Sequence, residues 1–92
     1  MEPGKLTDFA ITLSERDNVA TALRDIPAGA YACAAAAAVA VPRTIRAGFK
    51  LALRPIAPGE KILKYGHVIG LATHAIAPGD LVHVHNMRSS VQ

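Results

Sequence analysis

Two short runs carry most of the residues able to do chemistry: Lys64-Tyr65-Gly66-His67 and His83-Val84-His85-Asn86. On a strand, neighbouring side chains face opposite sides, so His83 and His85 would share one face with Cα atoms roughly 6.5–7 Å apart. Two imidazoles so placed can reach one metal ion, or one ion and one substrate oxygen. A complete site takes three or four ligands, and no other His or carboxylate stands at a fixed spacing from this pair. The plainer alternative is a solvent-facing polar stripe on an edge strand. Lys64 can bind a carboxylate or, if desolvated, serve as a base. Its plainer alternative is a turn with a snorkelling lysine and a core tyrosine. Lys50 alternates with apolar residues in Phe49-Lys50-Leu51-Ala52-Leu53. It is expected to point away from Leu51 and Leu53, toward solvent or an anionic ligand. Nucleophile-elbow, P-loop, dinucleotide and zincin motifs are absent. Ser14, Ser89 and Ser90 have no companion base and read as cap and tail residues.

The elements that must position these residues read mainly as strands. Phe9–Leu13 alternates bulky and small residues, a half-buried strand pattern. Val19, Ala22, Leu23 and Ile26 fall at i, i+3, i+4 and i+7, which predicts one short amphipathic helix over Asn18–Arg24. Asp17 or Asn18 would cap it through a side-chain oxygen. Tyr31, Val39 and Val41 bracket five consecutive alanines, read as strand–loop–strand even though alanine favours helix. Four further strands are predicted at Phe49–Arg54, Lys61–Lys64, Val68–Ala72 and Leu81–His85. Ile56-Ala57-Pro58-Gly59 and Ile76-Ala77-Pro78-Gly79 repeat one turn, each followed by an acid, and Ile26-Pro27-Ala28-Gly29 is a looser relative. Pro at the second position of Ala-Pro-Gly-acid presets φ, and Gly at the third supplies the positive φ of a type II turn. Each Ile is expected in a shared core, and each following acid in solvent.

Ninety-two residues suggest one domain, 1–92, with flexible tails over 1–8 and 89–92. The hydrophobic fraction is 51%, but 18 alanines inflate it, and two Phe, two Tyr and no Trp leave little bulky core material. Such a domain buries a modest share of its surface, which points to a partner surface or self-association. The net charge of +3 is spread along the chain, with neither a basic tail nor stacking aromatics, so nucleic-acid binding is not expected. Arg43, Arg46, Lys50 and Arg54 read as a solvated basic face that could meet an anion. The single Cys33 fits a reducing compartment. No signal core opens the chain, and the Ala/Val run of 30–41 is too short to span a bilayer. A soluble cytoplasmic protein without membrane contact is expected.

Taken together, Asp17-Asn18-Val19-Ala20, Ala47-Gly48-Phe49-Lys50-Leu51-Ala52-Leu53, Lys64-Tyr65-Gly66, Val68-Ile69-Gly70 and His83-Val84-His85-Asn86 resemble the N-terminal domain, or separate small subunit, of the altronate/galactarate dehydratases. The likeness runs from about Phe9 to Ser90. It implies a SAF-type β-clip: mainly β, here with one short helix. It also implies a hydro-lyase that converts an aldonate or aldarate to a 2-keto-3-deoxy acid, with most catalytic groups on a large subunit. A divalent ion, iron or manganese, would be shared with that subunit. In that setting His83 and His85 are expected to hold metal, and Lys64 and Tyr65 to act in catalysis. Lys50, His67 and Asn86 are expected to hold substrate. The family usually carries Gly-His-Lys where this chain has Gly48-Phe49-Lys50. Sulfolactate sulfo-lyases have a similar small subunit, and SAF-type domains also serve as non-catalytic binding or assembly modules, so these alternatives stay open.

Overall fold

Strands with apolar residues at consecutive positions need cover on both faces. Val19-Ala20-Thr21-Ala22 and Lys50-Leu51-Ala52 have this character, and they form the middle of the molecule. The computed structural model describes residues 4–33 and 36–89. Among these, the strands are β1 (Gly4–Lys5), β2 (Ala10–Ile11), β3 (Val19–Ala22), β4 (Gly29–Cys33), β5 (Ala36–Val41), β6 (Lys50–Ala52), β7 (Lys61–Lys64), β8 (His67–Ala72), β9 (Leu81–Val82) and β10 (Met87–Ser89). A central antiparallel sheet runs β2-β3-β6-β9. One face packs with the β4–β5 hairpin, burying Ala20, Ala22, Leu51 and Leu53 with Tyr31, Val39 and Val41. The other packs with the β7–β8 hairpin, burying Val19, Ala52 and Val82 with Ile62 and Ala72. The fold is therefore mainly β, a β-clip-type arrangement. No helix among the described residues is long and apolar enough to cross a membrane.

The repeated turn organises this layout. Ile26 bridges Ile45, and Ile56 bridges Ile76. Each pair closes the base of one hairpin, the first pair in one core and the second in the other. The Ile positions thus split between two cores rather than one. Gly59 and Gly79 have φ of 83° and 90°, as the Pro-Gly turns require. Glu60 and Asp80 do not simply face solvent: their carboxylates accept the Ala57 and Ala77 amides at 3.0 and 3.2 Å. A fourth corner, Thr44-Ile45-Arg46-Ala47-Gly48, lacks the proline but keeps Ile and a positive-φ Gly three residues apart. Gly48 and Gly79 each donate a 2.8 Å hydrogen bond, to Ala22 and Ala52 respectively. The chain therefore holds two copies of strand, Ile corner, hairpin, Ile corner, strand, joined through β6.

Three expectations need correction. Residues 19–22 form β3, not a helix, and the helical segment found among the described residues is a short 3₁₀ turn at Leu6–Asp8. The helical spacing misleads because both strand faces are covered, so Val19, Ala20 and Ala22 are all buried while Leu23 is 62% exposed. Residues 4–8 are tied down as well: β1 pairs with β4, and Leu6 lies in the first core. The strand expected over 81–85 stops at Val82. Within the alanine run expected to hold a loop, residues 34–35 lie outside the described residues and Ala36 already begins β5. Of the tails expected over 1–8 and 89–92, Ser89 ends β10, and residues 1–3 and 90–92 lie outside the described residues.

Asn18, expected as a helix cap, instead fastens the two halves. Its amide oxygen accepts the Leu63 N–H and its NH₂ donates to the Lys61 carbonyl, both at 2.8 Å. Asn18 is 1% exposed, so Asn18→Ala would leave two backbone groups of β7 unpaired in a dry site. The expected loss is about 3 kcal/mol of unfolding free energy, read by urea denaturation with far-ultraviolet circular dichroism. A loss below about 1 kcal/mol would show that water takes over both partners.

Candidate functional site

Strand register brings Thr21, Lys50 and Val82 directly opposite one another on β3, β6 and β9. Directly opposite residues share a face, here the face that carries Val19 and Ala52 of the second core. Lys50 is thus half-buried at the margin of an apolar cluster. Burial, and secondarily the Lys64 ammonium, hold its pKa below the ordinary 10.5. No carboxylate pairs with either lysine among the described residues, where the ion pair found is Arg46–Asp25 at 4.0 Å. The Thr21 hydroxyl beside Lys50 is buried and has no hydrogen-bond partner among the described residues. Lys50 thus carries a charge that no carboxylate among the described residues offsets, a setting that favours an anion.

Lys64 stands at the tip of the β7–β8 hairpin. Its register shifts between Ile62 and Leu63, the kind of irregularity that bends a strand and re-aims the side chains beyond it. The tip is closed by Tyr65 and Gly66 at φ of 55° and 79°. Two positive φ values are what a two-residue type I′ hairpin turn demands, and Asn-Gly is its usual sequence. Tyr65 is the one non-glycine with positive φ among the described residues. The Lys64 Nζ lies 5.1 Å from the centre of the Tyr65 ring. His67 pairs opposite Lys64 across the turn and is exposed. Asp17 holds this tip from below. Its Oδ1 accepts the Gly66 amide at 2.7 Å and its Oδ2 the Leu13 amide at 3.3 Å. Burial raises the Asp17 pKa, but backbone hydrogen bonds from Gly66, Tyr65, Leu13 and Ser14 outweigh it and leave the pKa below 3.8.

The His83–Asn86 run is a turn rather than a strand. Asn86 donates its backbone N–H to the His83 carbonyl at 3.0 Å and accepts the His83 amide on its side-chain oxygen at 3.0 Å. Its NH₂ donates to the Leu81 carbonyl at 2.8 Å. Both ends of the buried Asn86 side chain thus serve the turn. The two histidines consequently do not share a strand face. His83 meets the edge of Phe49, with ring centres 5.1 Å apart. His85 borders a separate concavity of about 370 Å³ that Arg43 and Asp80 also line, so the carboxylate there is offset by a fixed positive charge. No group of three His, Cys, Asp or Glu among the described residues could hold a metal ion. The donors present do not fit a self-contained metal centre.

The sequence-predicted residues therefore divide. Lys64 adds to the lowering of the Lys50 pKa, Tyr65 and His67 stand beside Lys64, and His83 packs on Phe49 instead. His85 is turned to another groove, and Asn86 is structural in its contacts. Sequence reasoning missed Thr21 and the holding role of Asp17. Thr21 lies directly opposite Lys50, a relation that only strand pairing reveals. A larger concavity of about 540 Å³ is lined by apolar residues with Thr7, Thr12, Ser14, Glu15 and Asp17, and no cation. It suits an acidic ligand poorly.

Comparison with known proteins agrees with the resemblance. The family model described as the altronate/galactarate dehydratase SAF domain matches residues 8–90. Altronate dehydratases of Bacillus subtilis (strain 168) and Escherichia coli (strain K12) are each 38% identical over 81 residues, covering 88% of this chain. The chain spans only 16% of the length of each. The (2R)-sulfolactate sulfo-lyase subunit alpha of Chromohalobacter salexigens is 41% identical over 49 residues, covering 53% of this chain and 52% of that subunit. The chain belongs to the altronate/galactarate dehydratase SAF-domain family.

Proposed function

We propose that the chain is the carboxylate-holding module of a cytoplasmic sugar-acid hydro-lyase, acting with a much larger catalytic polypeptide. The reading rests chiefly on one observation: Lys50 is half-buried opposite Thr21 on the face of the second core, repulsion from Lys64 adds to the burial that lowers its pKa, and no carboxylate pairs with either lysine among the described residues. A substrate carboxylate would relieve that repulsion. In the dehydration, a proton leaves the carbon beside the carboxylate, and its electron pair spreads into an enediolate. The hydroxyl on the next carbon leaves as water after protonation, and the enol becomes a 2-keto-3-deoxy acid. The two ammonium groups would lower the energy of the charge gathering on the carboxylate oxygens. Tyr65 would present its hydroxyl beside Lys64, with His67 as a further polar contact. The iron or manganese ion of this reading belongs with donors of the larger polypeptide, and no step here runs through it. Leu13, Leu23 and Val84, at 67%, 62% and 77% exposed, leave apolar surface for that polypeptide or a second copy.

The likeness to a sulfo-lyase subunit favours a second reading, in which the group expelled beside the acid is sulfite rather than water. Co-purification with a large dehydratase polypeptide, followed by assay of altronate, galactarate and sulfolactate, separates the two. Keto-deoxy acid formation supports the first and sulfite release the second. Wild-type turnover in a Lys50→Met, Lys64→Met double variant would remove the lysine pair from the site. Wild-type turnover in His83→Ala, His85→Ala would remove the histidines.

A further inference from the structure

Tyr65 occupies a backbone conformation that a bulky L-residue avoids, at a hairpin position usually given to Asn. Such an outlier persists only where its surroundings enforce it. The enforcing group is 3% exposed and distant in sequence: the Asp17 carboxylate, 49 residues from Gly66. It receives amides from both sides of a seam, Leu13 on one and Gly66 on the other. The neighbouring Asn18 fixes the stem of the same hairpin through Lys61 and Leu63. The Asp17 charge is spent on backbone donors. It forms no ion pair with Lys50 or Lys64 among the described residues.

We propose that Asp17 is the positioning residue of the Lys64–Tyr65 turn, holding the strained tip so that the Lys64 ammonium and Tyr65 hydroxyl face an acid ligand together. This role rests on the carboxylate-holding function proposed for the lysine pair. Positioning and simple electrostatics differ in sign. Asp17→Asn removes a negative charge near the lysines, so Coulomb's law alone predicts tighter anion binding. Loss of positioning predicts weaker binding, because Asn offers one acceptor and turns an N–H toward an amide donor.

The test uses the full chain, with galactarate as probe, and three variants: Asp17→Asn, Tyr65→Asn and the double variant. In Asp17→Asn, hydrogen exchange at the Gly66 amide should rise at least about tenfold while Leu63, held by Asn18, stays protected. The galactarate Kd should weaken by about tenfold or more, the size of a lost charge-assisted contact. Tyr65→Asn should raise Tm by about 4 °C through relief of the turn. In that background Asp17→Asn should change Gly66 exchange less than about threefold. Unchanged Gly66 exchange, or tighter galactarate binding, in Asp17→Asn would overturn the proposal. If Asp17→Asn alone does not fold, the double variant decides. A folded double variant with Leu63 protected supports the clamp, and an unfolded one shows that Asp17 serves the whole fold instead. Absence of galactarate binding by the wild-type chain would count against the carboxylate-holding reading, while Gly66 exchange would still report on the clamp.

Discussion

If the proposed function holds, Lys50→Met in the chain assembled with a large dehydratase polypeptide is expected to lower kcat/KM for the sugar acid by about 100-fold. A charge-assisted contact to a carboxylate in a partly dry site is worth about 2–3 kcal/mol, and each 1.36 kcal/mol is tenfold in rate. The same change should make the isolated chain more stable at neutral pH. Lys50 sits half-buried between Thr21 and Val82, and its pKa is depressed by burial and then by Lys64. The folded chain thus binds this proton less readily than the unfolded chain does. Stability of the wild type should rise with pH from the folded-state pKa up to 10.5, the unfolded value. Below that window the unfavourable contribution of the charged lysine is fully present. Methionine keeps the stem and removes the charge, so the pH slope should vanish in the variant. A variant that loses both activity and stability would instead mark Lys50 as a packing residue. Carboxylate binding acts in the opposite direction, raising the Lys50 pKa, so affinity should hold below the free-chain value and fall as pH passes the raised one.

The second large effect lies in the repeated turn. Gly59 and Gly79 occupy matching positions, with φ of 83° and 90°. A Cβ at Gly59 meets nothing within 4 Å, whereas one at Gly79 would overlap the Ala40 carbonyl oxygen and lie 2.7 Å from its carbon. Gly59→Ala should therefore cost about 1–2 kcal/mol from backbone conformation alone. Gly79→Ala adds a collision between backbone segments, which no rotamer change relieves. Its loss should exceed about 4 kcal/mol, enough to unfold a domain of marginal stability. Chemical denaturation of the two variants side by side measures the difference. Equal losses would mean that β5 does not press on the second corner.

This contrast shows what was legible in the sequence. The Ile-Ala-Pro-Gly turns, the alanine-spanning strand pair and strands β6–β8 follow from local residue types. Matching corners with unequal packing do not, because Ala40 and Gly79 meet only in three dimensions. The corner at Thr44–Gly48 lacked its proline, yet Ile with Gly three residues later was a usable signal. The helix expected over Asn18–Arg24 failed for a related reason. In a short strand covered on both faces, burial imitates helical periodicity. The His83–Asn86 turn was misread because alternating His and Val fits a strand, and only the Asn86 hydrogen bonds reveal the closure. For the site, Lys50, Lys64 and Tyr65 were legible as types, but the cross-strand pairing of Lys50 with Thr21 was not. Asp17 and Asn18 looked like helix caps, and capping is what they do, for a hairpin 43–49 residues away.

The central claim is that Lys50 and Lys64 hold one carboxylate together. It is tested most directly by titrating the full chain with galactarate while following the side-chain ammonium and Cε resonances of both lysines. Joint, saturable shifts of the two, with a rise in the Lys50 pKa on binding, are the predicted result. Shifts no larger than those given by sodium chloride at equal ionic strength, or movement of one lysine without the other, would contradict it.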